Sequence, residues 1–212
     1  VLTIETPNTD RSLLTLAELR AAAGVSDNSK DAVLVPLGNY VSAMITKACK
    51  VAIAGAIPPT LRLETVTETI RYRSRSGKAD GLVLARRPVV EIVSVTEHGN
   101  EISASNYELD AAASILYRMS GTCPIRWYCR GDIVVEYSAG YEVVPDDLKY
   151  AAIKFVQAEI VTGTRDPNLK RLRIEGVSER EWWVSDKQVT SIVPGEVMDI
   201  LVRGGYVNMV VA

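Results

Sequence analysis

An α+β fold is the architecture this sequence predicts: a frame of three helices with an inserted, mostly antiparallel β-sheet, followed by an extended C-terminal arm. Three observations carry it. Apolar residues recur at helical spacing over about 15–24, 36–55 and 145–162. Between about 61 and 138 the period falls to two and β-branched residues concentrate. After 163 the pattern breaks into a basic stretch, a tryptophan pair and short apolar runs that do not add up to a compact domain. The expected division is therefore a core at 1–163 and an arm at 164–212.

The first helix is read from Thr15-Leu-Ala-Glu-Leu-Arg-Ala-Ala-Ala-Gly24. Thr15 is an N-cap residue and Glu18, three positions on, completes a capping box, while Gly24 suits the C-terminal stop. A polar turn follows. The second helix carries Leu37, Val41, Met44, Ile45, Ala48, Val51 and Ala52 at helical spacing. Pro36 fits an early helical position, so the helix is expected to start there and to end by Gly55 and Pro58-Pro59.

The sheet is read from Glu64–Arg73, Gly81–Leu84, Val89–Thr96, Tyr107–Asp110, Ile115–Tyr117 and Asp132–Tyr137. Val89–Thr96 turns at His98-Gly99-Asn100 into Glu101-Ile-Ser, a hairpin signature. Short connections make most pairings antiparallel. Pro145 pre-sets the first turn of the last core helix, and Asp146 and Asp147 complement its positive end. Leu148, Ala151, Ala152, Phe155, Val156 and Ile160 form its apolar face, and Gly163 ends it. In the arm, Pro194–Arg203 reads as a short helix with Val197, Ile200 and Leu201 on one side. Gly204-Gly205 reads as a hinge into a strand-like run, Tyr206–Ala212.

The chain has 212 residues, 47% of them hydrophobic, which is enough for a real core. A formal charge of −2 argues against a protein whose main work is gripping nucleic acid over a wide surface. No long uninterrupted apolar run predicts a transmembrane helix, and the opening residues carry no signal-peptide pattern. Val1 in first place suggests a removed initiator Met. The three cysteines, Cys49, Cys123 and Cys129, form no disulfide framework and no zinc spacing. They read as reduced thiols or, alternatively, as a Cys123–Cys129 bridge.

No catalytic, metal or cofactor residue is identified. His98 lies at a hairpin tip with no nucleophile elbow to accompany it. Asp110, Asp146 and Asp147 are accounted for by turns and helix starts, and no phosphate-binding glycine loop is present. Arg71, Arg73 and Arg75 alternate on one strand face. They are either a solvated hairpin end or a basic surface facing DNA or an acidic partner. Trp182 and Trp183 either pack on the subunit's own sheet or anchor in a neighbour. Tyr206, Val207, Met209 and Val210 belong to a run that must pair with its own sheet or with a partner's. With Val197, Ile200 and Leu201, these residues are the candidate assembly contacts.

Several blocks, in order, resemble the head–tail connector (adaptor, head completion) proteins of tailed bacteriophages and gene-transfer particles. They are Thr15-Leu-Ala-Glu-Leu-Arg to Asp31-Ala-Val-Leu34; Leu82-Val-Leu-Ala-Arg-Arg-Pro-Val-Val-Glu-Ile-Val-Ser-Val95 with Asn106-Tyr-Glu-Leu; Gly131-Asp-Ile-Val-Val-Glu-Tyr-Ser-Ala-Gly-Tyr141 to Ala152; Glu175-Gly-Val-Ser-Glu-Arg-Glu-Trp-Trp183; and Val193-Pro-Gly-Glu-Val-Met-Asp-Ile-Leu201. Pro36 and Gly38 depart from the pattern by interrupting a helix that usually runs on from the Asp. The resemblance implies a non-enzymatic structural virion protein, made in the bacterial host cytoplasm and located in the neck at the portal vertex. It implies a ring, usually a dodecamer, beneath the portal protein. Such a ring gives the tail or a stopper protein a platform and meets packaged DNA only transiently. It implies that the C-terminal arm engages the portal, and it involves no membrane and no cofactor. The rival readings are another neck protein such as a stopper or tail-completion factor, a particle hydrolase, and a DNA-binding regulator.

Overall fold

The computed structural model describes residues 1–71, 78–128, 131–163, 171–174, 178–181 and 192–207. In chain order the elements are β1 (Leu2–Thr6), α1 (Leu16–Ala22), α2 (Asp31–Ala48), β2 (Glu64–Ile70), β3 (Lys78–Ala79), β4 (Gly81–Val83), β5 (Val89–Glu97), β6 (Asn100–Glu101), β7 (Tyr107–Asp110), β8 (Ile115–Ser120), β9 (Cys123–Ile125), β10 (Trp127–Tyr128), β11 (Ile133–Ala139), α3 (Asp146–Gly163), β12 (Arg171–Ile174), β13 (Ser178–Glu181) and α4 (Gly195–Arg203). The fold is α+β, as the change of period implied. The described residues divide into two compact units: Val1–Arg11 with Cys49–Pro145, and Ser12–Ala48 with Asp146–Val207.

In the first unit, a five-stranded antiparallel sheet has the order β1-β2-β11-β5-β6. β11 lies at its centre because its alternate residues, Ile133, Val135, Tyr137 and Ala139, are all buried while those between are half-exposed. β1 was not foreseen. It pairs Leu2 with Glu68 and Ile4 with Val66, and it buries Ile4. A second sheet, β4-β8-β7 with β9 on β8, contributes Leu82 and Leu116 to the same core as Val66, Val95 and Val135. Each such fully buried side chain stabilises the unit by roughly 1.5–3 kcal/mol. Trp127 closes this core, its Nε1 donating to the Leu116 carbonyl at 3.0 Å. Arg118 lies over the indole, 5.9 Å from its centroid. The sheet region expected at 61–138 is thus divided among these two sheets and the short antiparallel pair β3–β10.

Against β11, the strand β5 carries two extra residues. The register steps from Ser94 to Ile92 and from Glu91 to Val89, leaving Val93 and Val90 unpaired at β-bulges. The β5–β6 hairpin turns through His98 and Gly99, both with positive φ (54° and 80°). Two consecutive left-handed residues make the turn whose twist matches its strands, the arrangement the sequence predicts at this place.

In the second unit, α1 packs on α2 and α3, α2 on α3, and α3 on α4. The α1 capping box forms as expected: Glu18 N donates to Thr15 Oγ1 at 3.3 Å, and Thr15 N donates to Glu18 Oε2 at 2.7 Å. Gly24, at φ 66°, supplies the left-handed residue beyond the helix end. α2 corrects the expected 36–55. It begins at Asp31, because the Lys30 carbonyl accepts from both Val33 N and Leu34 N at 2.9 Å. Arg20 also holds the Asp31 carboxylate through Nε at 2.8 Å. Pro36 lies inside the helix, where it forfeits one backbone bond while Leu34 and Val41 remain buried on either side of it. The helix ends at Ala48, not near Gly55, because Lys50 adopts φ 54° and turns the chain away. Gly38 is the close-packing point: a β-carbon there would lie 2.7 Å from Leu19 Cδ1. Within the span expected to be arm, β12 and β13 pair antiparallel.

Candidate assembly surfaces

α4 joins the helical unit. Val197 and Leu201, one turn apart, are buried, and Ile200 between them is half-buried. Glu196 Oε1 meets Lys154 Nζ of α3 at 3.4 Å. Of the predicted contact residues on this helix, two are therefore enclosed by their own unit, because an amphipathic helix buries its apolar stripe against the first available apolar face, here that of α3.

The expected hinge at Gly204-Gly205 is a helix cap. Gly205 N donates to Val202 O at 3.1 Å and Tyr206 N to Leu201 O at 3.0 Å, with Gly205 at φ 72°. These are the two crossed bonds of a Schellman motif. Tyr206 does not begin a strand. It packs beside Gly204, where a β-carbon would meet its ring at 2.4 Å, and its hydroxyl donates to Asp147 Oδ1 at the start of α3. The signal was in the sequence, a glycine directly after an apolar helical run, and it also fits a hinge. Val207 is half-buried. Trp182, Trp183, Met209 and Val210 lie outside the described residues.

Arg71 is engaged within its own unit. Its Nε and Nη2 bond the two oxygens of Asp132 at 2.6 and 2.7 Å, just beyond the Ile70–Ile133 pair of β2 and β11. This hydrogen bonding with Arg71 holds the Asp132 carboxyl below its ordinary range and raises the guanidinium above its own. Arg73 and Arg75 lie outside the described residues. His98 is exposed at its turn, its ring filling the space above Gly131, where a β-carbon would lie 2.2 Å from Nδ1.

Sequence reasoning missed a buried polar network. Arg86 Nη1 donates to Thr60 O at 3.1 Å and lies 3.5 Å from Glu64 Oε2, both side chains being almost wholly buried. Tyr137 OH accepts from Arg86 N at 3.1 Å and donates to Glu68 Oε2 at 2.8 Å. Glu68 Oε2 also accepts from Ala85 N at 2.9 Å. Burial first, then the Glu68 charge, pushes the Tyr137 phenol well up, so it stays protonated and donating. The network fixes segment 85–86 to the central sheet, and no spacing rule connects residues this far apart in the chain.

Cys49 is a buried free thiol, pushed up to about 12 by burial, and Cys123 is a free, exposed thiol. Cys129, the other half of the alternative Cys123–Cys129 bridge, lies outside the described residues. Among the described residues, no three His, Cys, Asp or Glu side chains converge as metal ligands. No helix among them is long and apolar enough to cross a membrane.

Among the described strands, β5 carries two large exposed apolar side chains. Val90 and Val93, the two bulge residues, are 57% and 53% exposed. Its outer edge pairs with β6 only at Thr96 and Glu97. Among the described residues nothing pairs with that edge from 89 to 94.

No protein-family model and no curated protein matches the sequence. Solved structures do share the fold. A chain in the neck of an empty GTA particle, computed with C6 symmetry, superposes with a TM-score of 0.51 at 19% identity over 81% of this chain and 89% of its own. A chain in the virion of a native gene transfer agent (GTA) particle gives 0.50 at 17% identity over 84% and 88%. The fold described above is therefore the fold of those two chains over most of both lengths.

Proposed function

We propose that this chain is a structural neck protein of a phage-like particle: a head-to-tail adaptor whose copies close into a ring, with twelve subunits the expected number, beneath the portal. The ring joins capsid to tail and lets DNA pass. The observation that carries this is the fold shared, over 81% of the chain, with a protein of the GTA particle neck. The sixfold symmetry used for that neck is contained in a twelvefold ring. The ordered blocks resembling connector proteins support the same assignment independently.

The physical properties suit it. A ring subunit needs two different surfaces that meet head to tail and close on rotation. The open apolar edge of β5 is one such surface. A lumen for moving DNA must not hold it tightly, and a near-neutral chain whose Arg71 is already neutralised by Asp132 suits that. The role requires no catalytic group and no cofactor. Portal and tail or stopper proteins are the expected partners, and the candidate contacts outside the described residues, Trp182 and Trp183, are offered to them.

Electron microscopy of the purified chain, with and without portal, tests this. A ring that forms alone or docks on the portal is the expected result. A monomer without portal affinity contradicts it, and docking on the tail-facing side of a preformed adaptor ring would favour a stopper instead.

A further inference from the structure

We propose that the open edge of β5 receives the segment 207–212 of a neighbouring copy as an added strand. This rests on the ring assembly proposed above.

The acceptor is the stretch 89–94. An unpaired edge offers a row of backbone donors and acceptors, and the partner that satisfies such a row is another extended strand. Val90 and Val93 mark it as an edge built for cover, since at 57% and 53% exposure the described residues leave them open. A shallow hollow lined by Val93, Ser94, Ile102 and Tyr107 runs alongside.

The occupant follows from length and charge. α4 ends in a fixed cap, and Tyr206 is tied to Leu201 and Asp147, so the residues that follow leave from a defined point. The segment 207–212, Val-Asn-Met-Val-Val-Ala, has no charged side chain and alternates Val207, Met209 and Val211 on one face. Extended, these six residues reach about 20 Å, enough to cover the six of 89–94. The other open edge, β1, is a worse match. Set antiparallel on β5, a neighbour's β1 would bring the exposed Glu5 and Glu91 to the same end of the pair. One surface that donates a strand and a different one that accepts it form a heterologous contact, the kind that closes a ring.

The test uses rings assembled from equal parts of ¹⁵N-labelled and unlabelled chain, with the photo-crosslinker p-benzoylphenylalanine in place of Val93. Mass spectrometry is expected to find the Val93 peptide joined to the peptide covering 207–212, with labelled–unlabelled pairs making up about half of the product, as random mixing of copies in a heterologous ring requires. Met209→Asp should lower ring yield about tenfold or more, since a carboxylate on the apolar face would be buried without a partner. Its melting temperature as a free subunit should not change. Crosslinks confined to single copies, or running to a portal or to another segment, overturn the strand exchange while leaving the ring intact. A chain that forms no ring, alone or on a portal, overturns the ring assembly and this contact with it.

Discussion

Leu19 occupies the space that a β-carbon on Gly38 would need, its Cδ1 lying 2.7 Å from that position. Leu19 is almost completely buried, so it cannot simply swing aside. Two effects oppose each other when Gly38 becomes Ala. Helix propensity favours Ala by about 1 kcal/mol, while overpacking costs about 1–3 kcal/mol. Gly38→Ala should therefore cost up to about 2 kcal/mol in the natural chain and gain about 1 kcal/mol in the Leu19→Ala background. Chemical denaturation of the four chains of the double-mutant cycle measures this, and a coupling near zero would rule out the contact.

Tyr137→Phe should destabilise the sheet unit by about 1–3 kcal/mol, because it strips Arg86 N–H of its acceptor and Glu68 of a donor in a buried network. Thermal or denaturant melts check this. A loss below about 0.5 kcal/mol would mean that water satisfies those groups as well as the phenol does.

The Arg71–Asp132 pair predicts an acid dependence. The Asp132 carboxyl titrates below its ordinary value in the folded chain because Arg71 bonds it. Its stabilising contribution is therefore complete above the ordinary carboxyl range and is lost as pH falls through the lowered folded value. Comparing Asp132→Asn with the natural chain, the stability gap should be constant above about pH 5 and shrink below about pH 4. A gap that does not change with pH would contradict this.

Much of the fold was legible because local rules act locally. Thr15 and Glu18 sit three residues apart, and His98-Gly99 is a turn by composition alone. The start of α3 at Pro145-Asp146-Asp147 and the apolar stripe of α4 follow from helical spacing. What escaped depended on partners distant in the chain. α2 runs through Pro36 because Asp31 is held by Arg20 and Leu34 is buried, neither of which a proline rule can register. Gly38 reads as a helix breaker until Leu19 is seen against it. β1 is a short run whose only claim to be a strand is its pairing with β2. Gly205 could be a hinge or a cap, and the bonds to Val202 and Leu201 decide for the cap. At the assembly surfaces, the sequence pointed to the apolar face of α4, but α3 uses much of it. The β5 edge was not foreseen as a surface, because strict alternation puts Val93 on the buried face of Val89 and Val95, and only the bulges break that alternation.

The cysteines should differ sharply in reactivity. Cys49 is buried and its thiol is pushed up to about 12, whereas Cys123 is exposed. Iodoacetamide labelling of the native chain, mapped by mass spectrometry, should modify Cys123 readily and Cys49 only after denaturation. Equal labelling of both would mean that the segment around Cys49 opens freely.

The most direct measurement of the ring assembly is native mass spectrometry of the chain at increasing concentration, with and without portal. Head-to-tail contacts that close should give one dominant closed oligomer, twelve copies being the expected number, with few species between it and the monomer. A chain that stays monomeric in both conditions, or that grows into an unbroken ladder of open polymers, would contradict it.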